Sequence, residues 1–229
     1  MRIIKKSFML AGVFLLLLLA GVGTGAKTVK ADTTTRTINV YGKTYYMVSN
    51  EYRTSLYLKN GYYYTLVAQT SQSFMNYSFS YKRNLYFVGG GEGRPCVTYK
   101  YKVGSYGFQR VGSVYLSGHK GKYAVGYTTL AGDPSPSSLC MYNLSTGRLT
   151  SLGRGCDIKF IGNKIYYAAC KNKYTMQIVR RNSNGGGKKV IKTIRTAKKN
   201  RLTYVGKITS HSALCYIMTP KWVEKTVRF

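Results

Sequence analysis

The stretch Gly162–Lys189, GNKIYYAACKNKYTMQIVRRNSNGGGKK, determines how the chain folds. It begins as a β-strand, breaks, resumes as a second strand, and then enters a turn rich in Asn and Gly. A turn followed by a Tyr-rich strand recurs elsewhere in the chain, so this stretch is one copy of a repeated unit. The other copies begin at YGKTYYMV from Tyr41, YKRNLYFV from Tyr81, HKGKYAVGY from His119 and KKNRLTYV from Lys198.

The repeat has a period of about forty residues, which is the usual length of a four-stranded propeller blade. A short strand precedes each turn, and a second hairpin follows it, so each unit supplies four antiparallel strands. We therefore predict an all-β chain with five four-stranded blades over residues 37–229. A two-layer β-sandwich built from the same hairpins is the alternative. The turn residues Lys43, Asn84, Lys122, Lys164 and Arg201 are spaced by 41, 38, 42 and 37, and the first strands are TINV, YSFS, VYLS, DIKF and, more weakly, VIKTI.

The run NKIYYAAC…MQIVRRNSNGGGKKVI resembles one blade of the TolB-like and YWTD-like propellers of exported bacterial proteins. In those blades a strand that ends in IYY precedes a hairpin of two strands. The hairpin has an Asp-Gly turn, and basic residues follow the turn. Here Asn184-Gly185 stands in place of Asp-Gly. Six blades are more usual in that family, so the resemblance implies the propeller fold and leaves open whether five blades close a ring. It assigns no activity.

The first 31 residues have the pattern of a secretory signal peptide. Three basic residues within the first six are followed by Ser7–Ala26, which are 20 residues without a charge. In Val29-Lys30-Ala31, Val29 and Ala31 put small or aliphatic residues at the two positions that a signal peptidase reads. We therefore predict cleavage before Asp32, with Ala26 as the second choice, and a short linker over 32–36. The predicted location is secreted or at the extracytoplasmic cell surface. An uncleaved membrane anchor over residues 8–26 is the alternative.

The charge of the chain is strongly one-sided, with 36 Lys+Arg against 6 Asp+Glu. Five of the cations lie before Asp32, which leaves 31 in the predicted mature chain. From Lys159 to Phe229 there are 17 Lys and Arg and a single acid, Glu224. The excess positive charges repel one another unless counter-ions or an anionic partner screen them. We therefore expect the C-terminal third to carry a partner surface.

The basic clusters of that third are the predicted binding residues. Salt bridges within the segment cannot account for them, because acids are almost absent there. The expected ligand is an anionic polymer, either a wall or envelope polyanion or extracellular nucleic acid, and nearby tyrosines would add stacking area. A solvated charged surface and a structural or protein-interaction module are the alternatives. The candidates are Arg180, Arg181, Lys188, Lys189, Lys192, Arg195, Lys198, Lys199 and Arg201.

Residues suited to catalysis are sparse. His119 and His211 are expected to be solvated loop residues, and the six acids are scattered without a paired motif. The chain has no HExxH, no glycine-flanked serine elbow and no Asp-rich calcium loop. The glycine run Gly185–Gly187 lacks the strand-to-helix context of a phosphate loop and is interpreted as a flexible hairpin. We predict a non-catalytic domain without metal or cofactor.

The five cysteines suggest one disulfide at most. If DIKF and IYYAA form a hairpin with Ile161 opposite Lys164, Cys156 lies opposite Ala169, one residue from Cys170. A change of one residue in the register would make Cys156 and Cys170 a cross-strand pair, although such pairs are strained. The other three open the third strands of different units and are expected to be buried thiols out of mutual reach: Cys96, Cys140 and Cys215.

Overall fold

The computed structural model describes residues 33–73, 75–91, 94–129, 137–197, 201–219 and 221–229. The predicted signal segment, 1–31, lies outside these ranges. Every regular element within them is a β-strand. Among these residues, no helix has the length and apolar character needed to cross a membrane.

The first two repeats each form a four-stranded antiparallel sheet whose strands are paired in sequence order. The first strand starts earlier than predicted, because Thr34 and Thr35 already pair with Ser49 and Val48, so it takes in part of the predicted linker 32–36. Repeat one comprises β1 Thr34–Val40, β2 Lys43–Ser49, β3 Thr54–Asn60 and β4 Tyr63–Thr70. Repeat two comprises β5 Asn76–Tyr81, β6 Asn84–Gly91, β7 Arg94–Lys102 and β8 Gln109–Gly112.

Repeats three and four share one seven-stranded sheet, so the prediction of five separate four-stranded sheets is corrected here. The 13-residue strand β12 pairs with β11 through its first part and with β13 through its second part. Gly155 belongs to both pairings, and a Cβ at this position would lie 2.1 Å from the Ala168 carbonyl oxygen. The strands are β9 Tyr115–Lys120, β10 Tyr123–Thr129, β11 Ser137–Asn143, β12 Leu149–Ile161, β13 Lys164–Asn172, β14 Thr175–Asn182 and β15 Lys189–Arg195.

Repeat five has three strands among the described residues: β16 Arg201–Gly206, β17 Ser212–Met218 and β18 Trp222–Arg228. The segment VIKTI, predicted to be its first strand, lies in β15 and pairs with β14 instead. The physical reason is the turn after β14, which returns the chain along that strand and buries Ile194 in the core of repeat four.

The predicted hairpin turns are equivalent in three of the five repeats. Lys43, Asn84 and Lys164 each pair with the residue that precedes a two-residue turn. In repeat three the equivalent residue is Tyr123, because Lys122 lies inside the turn. Arg201 opens β16, which is the first strand of its sheet and therefore has no hairpin before it.

The core consists of apolar clusters between the faces of consecutive repeats. Each cluster draws side chains from two repeats: Met47 and Leu85 belong to the first, Phe79 and Leu116 to another. The third joins repeats three and four, and the fourth joins repeats four and five. Interior sheets are therefore covered on both faces, which explains why their strands are apolar and aromatic throughout. The largest fully buried side chains include Tyr45, Tyr101, Tyr167 and Phe87.

Buried hydroxyls hold the connections between repeats. Thr98 on β7 is fully buried, and its Oγ1 donates to the Val114 carbonyl oxygen at 2.5 Å while accepting from the Leu116 backbone N–H at 3.4 Å. Thr54 on β3 makes the corresponding bond to the Gln72 carbonyl oxygen at 2.9 Å. These threonines satisfy backbone groups that would otherwise be buried without partners.

Hydrogen bonds from the first strands of repeats two and four also join these repeats to the next one along the chain. Ser78 Oγ on β5 donates to the Leu116 carbonyl oxygen on β9 at 2.7 Å. The carboxylate of Asp157 on β12 accepts from the Ile208 backbone N–H, after β16, at 2.6 Å. Asp157 adopts a positive φ of 46°, a conformation that Asp tolerates better than most residues. Hydrogen bonds of this kind fix the sheets relative to their neighbours.

Replacing Thr98 with Val tests the hydroxyl connection. The isosteric change leaves the Val114 carbonyl and the Leu116 N–H without their buried partner, which costs about 1–3 kcal/mol of unfolding free energy. Urea denaturation measures the loss. The matched control is Thr150→Val on the exposed face of β12, expected to change stability by less than about 0.5 kcal/mol. Equal effects of the two substitutions would contradict this role of Thr98.

Candidate anion-binding surface

The predicted cations of the C-terminal third are concentrated on β15, which is the last strand of the seven-stranded sheet. Lys188, immediately before the strand, and Lys189, Lys192 and Arg195 within it are all exposed. Lys198 and Lys199 lie outside the described residues, and the side chain of Arg201 is not described. Three of the nine predicted residues therefore lie in one edge strand, and a fourth directly precedes it.

A groove of about 190 Å³ lies between this edge strand and the last two strands of the chain. Arg195 and Lys225 supply its charges, and Ile194, Ile217 and Val227 supply aliphatic side chains. We call this site the basic groove; it is lined by Thr193, Ile194, Arg195, Cys215, Ile217, Lys225 and Val227. Lys225 was missed by the sequence analysis, although the alternation of Val223, Lys225 and Val227 along β18 places these three on one face.

The basic groove carries positive charge at neutral pH. Burial raises the pKa of the Cys215 thiol to about 11, against the opposing effect of Lys225, so this thiol stays neutral. Glu224 pairs with Tyr216 across β17 and therefore lies on the opposite face of the sheet from Lys225, which pairs with Cys215. Between described residues, the one carboxylate ion pair joins Lys159 to Asp157 at 2.9 Å. Neither Arg195 nor Lys225 takes part in this ion pair.

Arg181 serves the fold rather than the groove. Its Nε donates to the Tyr167 hydroxyl at 3.0 Å, and its Nη1 donates to the Gly185 carbonyl oxygen at 2.6 Å. Arg180 is half-buried and pairs with Lys189 across the hairpin. Arg180 and Arg181 therefore have different surroundings. The guanidinium of Arg181 stabilises the turn that follows β14.

The glycine run forms the hydrogen-bonded turn of the hairpin between β14 and β15. The Gly185 N–H donates to the Asn182 carbonyl oxygen at 2.9 Å, and the Gly186 N–H donates to Asn184 Oδ1 at 3.0 Å. Gly185 has a positive φ of 85°, and a Cβ there would lie 2.6 Å from Cε of Met141. The turn thus fixes the start of β15 and the position of Lys188 and Lys189.

The predicted disulfide between Cys156 and Cys170 is not formed, and both residues are thiols. Ile161 pairs with Lys164 as expected, but a bulge between Cys156 and Lys159 shifts the register and places Cys156 opposite Ala168. The bulge follows from the left-handed conformation of Asp157. Cys156 is thereby moved away from Cys170 rather than toward it.

Cys96 and Cys140 were expected to be out of reach of each other, but they are close enough to interact electrostatically. Burial raises the pKa of the Cys140 thiol to about 12, and the neighbouring Cys96 contributes to the rise. Both side chains are buried, one in repeat two and the other in repeat three. The charge of one thiol acts on the other because consecutive sheets pack face to face, which strand assignment alone does not show.

His119 and His211 lie in different structural surroundings. His119 lies in β9 rather than in a loop, and its ring packs against Phe79 at 4.6 Å between centroids and against Tyr81 at 5.7 Å. His211 is exposed beside the turn before β17, as expected. Within the described parts of the chain, no group of three or more His, Cys, Asp or Glu side chains could hold a metal ion.

Comparisons of the sequence find no matching protein-family model and no matching curated protein. Solved structures do match, and they include TolB and other β-propeller proteins. Oligopeptidase B from Trypanosoma brucei gives a TM-score of 0.51 at 10% identity, over 92% of this chain and 35% of that chain. TolB from Agrobacterium tumefaciens gives a TM-score of 0.46 at 14% identity, over 87% of this chain and 78% of that chain.

These similarities concern the fold. The chain is similar in fold to the peptidase at a TM-score of 0.51. Its sheets pack in sequence through apolar clusters between consecutive repeats, and do not form the two layers of the β-sandwich alternative. The chain spans about a third of the length of the peptidase it matches and most of that of TolB. The similar structures include TolB and peptidases, so the β-propeller architecture does not assign an activity.

Thiol labelling checks the cysteine assignments. Cys170 is half-exposed, whereas the raised pKa values of Cys140 and Cys215 and their burial make those thiols unreactive near pH 8. We expect one thiol to react quickly with an aromatic disulfide reagent in the native protein, and Cys170→Ser to abolish this fast phase. All five thiols should react after denaturation without reductant; a total of three would mean that a disulfide exists.

Proposed function

We propose that this protein is an exported, non-catalytic β-propeller of five repeats that binds an anionic polymer through the basic groove and the edge strand β15. Wall or envelope polyanions are the nearer ligands, and extracellular nucleic acid is the other. The N-terminal signal pattern supports export, and the basic composition supports an anionic partner. No cofactor is part of the proposal.

The observation that carries the proposal is the position of the cations. Arg195 and Lys225 face one groove, Lys188, Lys189 and Lys192 continue along the same edge, and the acid of this segment lies on the other face of its sheet. A linear polyanion needs a row of cations rather than a closed pocket, because it is bound mainly through released counter-ions. The strand and the groove provide such a row.

A second candidate function is that of a structural or protein-interaction module without a polymer ligand. Lysines on an edge strand also prevent the edge from pairing with another chain, so the charge of β15 has a purely protective explanation. Exposed tyrosines favour a protein partner in this case, since Tyr62 is 98% exposed and Tyr106 is 83% exposed. Salt dependence separates the two functions, because polyanion binding weakens steeply with ionic strength.

Neutralising the row of cations tests the proposal. The variant carries Lys188→Gln, Lys189→Gln, Lys192→Gln and Lys225→Gln, and its affinity for long-chain polyphosphate and for duplex DNA is measured at several salt concentrations. We expect weaker binding to both, with the salt slope for duplex DNA reduced by about 0.9 for each phosphate that the variant no longer neutralises. These side chains are exposed, so the fold should persist.

The matched control changes the same number of exposed lysines in the first three repeats, by Lys43→Gln, Lys82→Gln, Lys102→Gln and Lys120→Gln. The net charge of the two variants is identical. Equal losses of affinity would mean that the diffuse charge of the whole molecule binds the polymer, and no loss in either variant would remove the support for polymer binding. Neutral dextran serves as the uncharged polymer.

A further inference from the structure

The hairpin turns of repeats one to three lie on one surface of the molecule. Neighbouring strands are antiparallel, so the turns after the first and third strands of a repeat share one edge of its sheet. Hydrogen bonds join these edges: the Arg83 backbone N–H donates to the Tyr41 hydroxyl at 3.2 Å, and the Tyr81 hydroxyl lies 3.5 Å from Ser145 Oγ. The turns span residues 41–42, 61–62, 82–83, 103–108, 121–122 and 144–148.

The charge of this surface is entirely positive. The turns, all of them within the described ranges, contain cations and neither Asp nor Glu, and the same is true of the residues directly beside them. The described acids lie elsewhere, since Glu51 and Asp157 are at the opposite edges of their sheets and Glu224 is in β18. We call this surface the turn surface; its exposed cations include Lys43, Lys82, Arg83, Lys102, Lys120 and Lys122.

One of these turns carries two cations in an unfavourable backbone conformation. Lys82 has a φ of 46° and Arg83 a φ of 59°. Two-residue hairpin turns with positive φ at both positions favour Asn and Gly, because a Cβ disfavours the left-handed region. The equivalent turns of repeats one and three each contain a glycine, Gly42 and Gly121. Repeat two thus has two long cations where glycine would fold more easily, and an interaction outside the fold gives a reason for them.

Highly exposed tyrosines accompany the cations. Tyr62 is 98% exposed, Tyr63 is 76% exposed and Tyr106 is 83% exposed. Tyr62 and Tyr63 belong to the second turn of repeat one, and Tyr106 belongs to the second turn of repeat two. The Gly107 N–H donates to the Val67 carbonyl oxygen at 2.8 Å, which joins these two repeats again. Tyrosine combines an apolar ring with a polar hydroxyl and is enriched where a bilayer meets water.

The combination of cations and tyrosines favours a bilayer over a protein as the partner. The interfaces between proteins are depleted in lysine relative to the rest of the surface. Surfaces that bind at the level of lipid headgroups combine Lys and Arg with aromatic side chains, because anionic lipids attract the cations while the rings enter the interface. The turns belong to several sheets, so the cations form an array that is wider than the single row on β15.

We propose that the turn surface docks on a bilayer that contains anionic phospholipids. The ammonium and guanidinium groups contact lipid phosphates, and Tyr62 and Tyr106 enter the headgroup layer. Docking in this orientation leaves Glu51 and the loop after β2 on the side away from the bilayer. The proposal does not depend on polymer binding by the basic groove, because the two surfaces use different residues.

Neutralising the turn surface tests the proposal in the full chain. Affinity for mixed phosphatidylglycerol–phosphatidylcholine vesicles is divided by affinity for pure phosphatidylcholine vesicles, so that attachment through uncharged segments cancels. We expect this ratio to fall at least about tenfold, because each cation near an anionic surface contributes to binding. Co-sedimentation measures both affinities. The variant carries Lys43→Gln, Lys82→Gln, Lys102→Gln and Lys120→Gln.

The matched control removes four exposed cations from the opposite edges of the sheets and has the same net charge. We expect its affinity ratio to fall less than about threefold. Equal losses in the two variants would overturn the proposal, because the diffuse charge of the chain would then bind the lipid. A first variant that loses affinity for long-chain polyphosphate but not for the vesicles would contradict it and make the surface a polymer site. The control carries Arg53→Gln, Lys171→Gln, Lys173→Gln and Lys207→Gln.

A fluorescent reporter shows which edge of the sheets meets the bilayer. The one tryptophan of the chain is removed by Trp222→Phe, and a reporter is introduced by Tyr106→Trp. The control reporter is Tyr52→Trp, at a 71% exposed position in the loop after β2. With mixed vesicles we expect the emission at position 106 to move to shorter wavelength and to be quenched by lipids with brominated acyl chains. The emission at position 52 should not change.

The reporter also identifies docking in another orientation. Quenching at position 52 that equals or exceeds quenching at position 106 would overturn the proposal. Sedimentation with the vesicles without a change at either position would overturn it as well, because other residues would then contact the lipid. Circular dichroism checks that each variant is folded.

Discussion

The structure depends on covering both faces of each interior sheet. Strands such as β13, with Ile165, Tyr166, Tyr167 and Ala168 buried in succession, cannot expose either side to water without a large loss of hydrophobic stabilisation. Stacking each sheet on the next satisfies this requirement. The buried Thr98 then satisfies backbone groups where the chain passes from repeat two to repeat three, and the carboxylate of Asp157 on β12 accepts from the Ile208 backbone N–H after β16.

This arrangement also determines where the charge lies. Because the faces are occupied by apolar packing, the cations are carried mainly by strand edges, turns and grooves between sheets. On β15 the exposed lysines follow a hydrogen-bonded turn, and Arg195 lines the same groove as Lys225 from the next sheet. A chain that concentrates so much charge at the rims of its sheets gains from an anionic partner, which would reduce the repulsion that the fold itself cannot relieve.

Much of the local structure follows from the sequence, because alternation and turn residues report on neighbouring strands. The hairpins that begin at Lys43, Asn84 and Lys164 have the predicted register at the turn. The bulge at Cys156 and the continuous strand β12 do not follow from these patterns, since both depend on the backbone conformation of Asp157 and on the close approach at Gly155. The role of Lys225 depends on which sheets become neighbours, which strand patterns do not reveal.

Hydrogen exchange measured by mass spectrometry, with and without long-chain polyphosphate at low salt, would locate the binding surface on the folded chain. We predict slower exchange on addition of polymer in peptides that cover residues 188–195 and 222–228, with little change in repeats one and two. Those segments border the basic groove from both sides. Protection spread evenly over the chain, or confined to the first two repeats, would contradict a binding surface at the C-terminal end of the molecule.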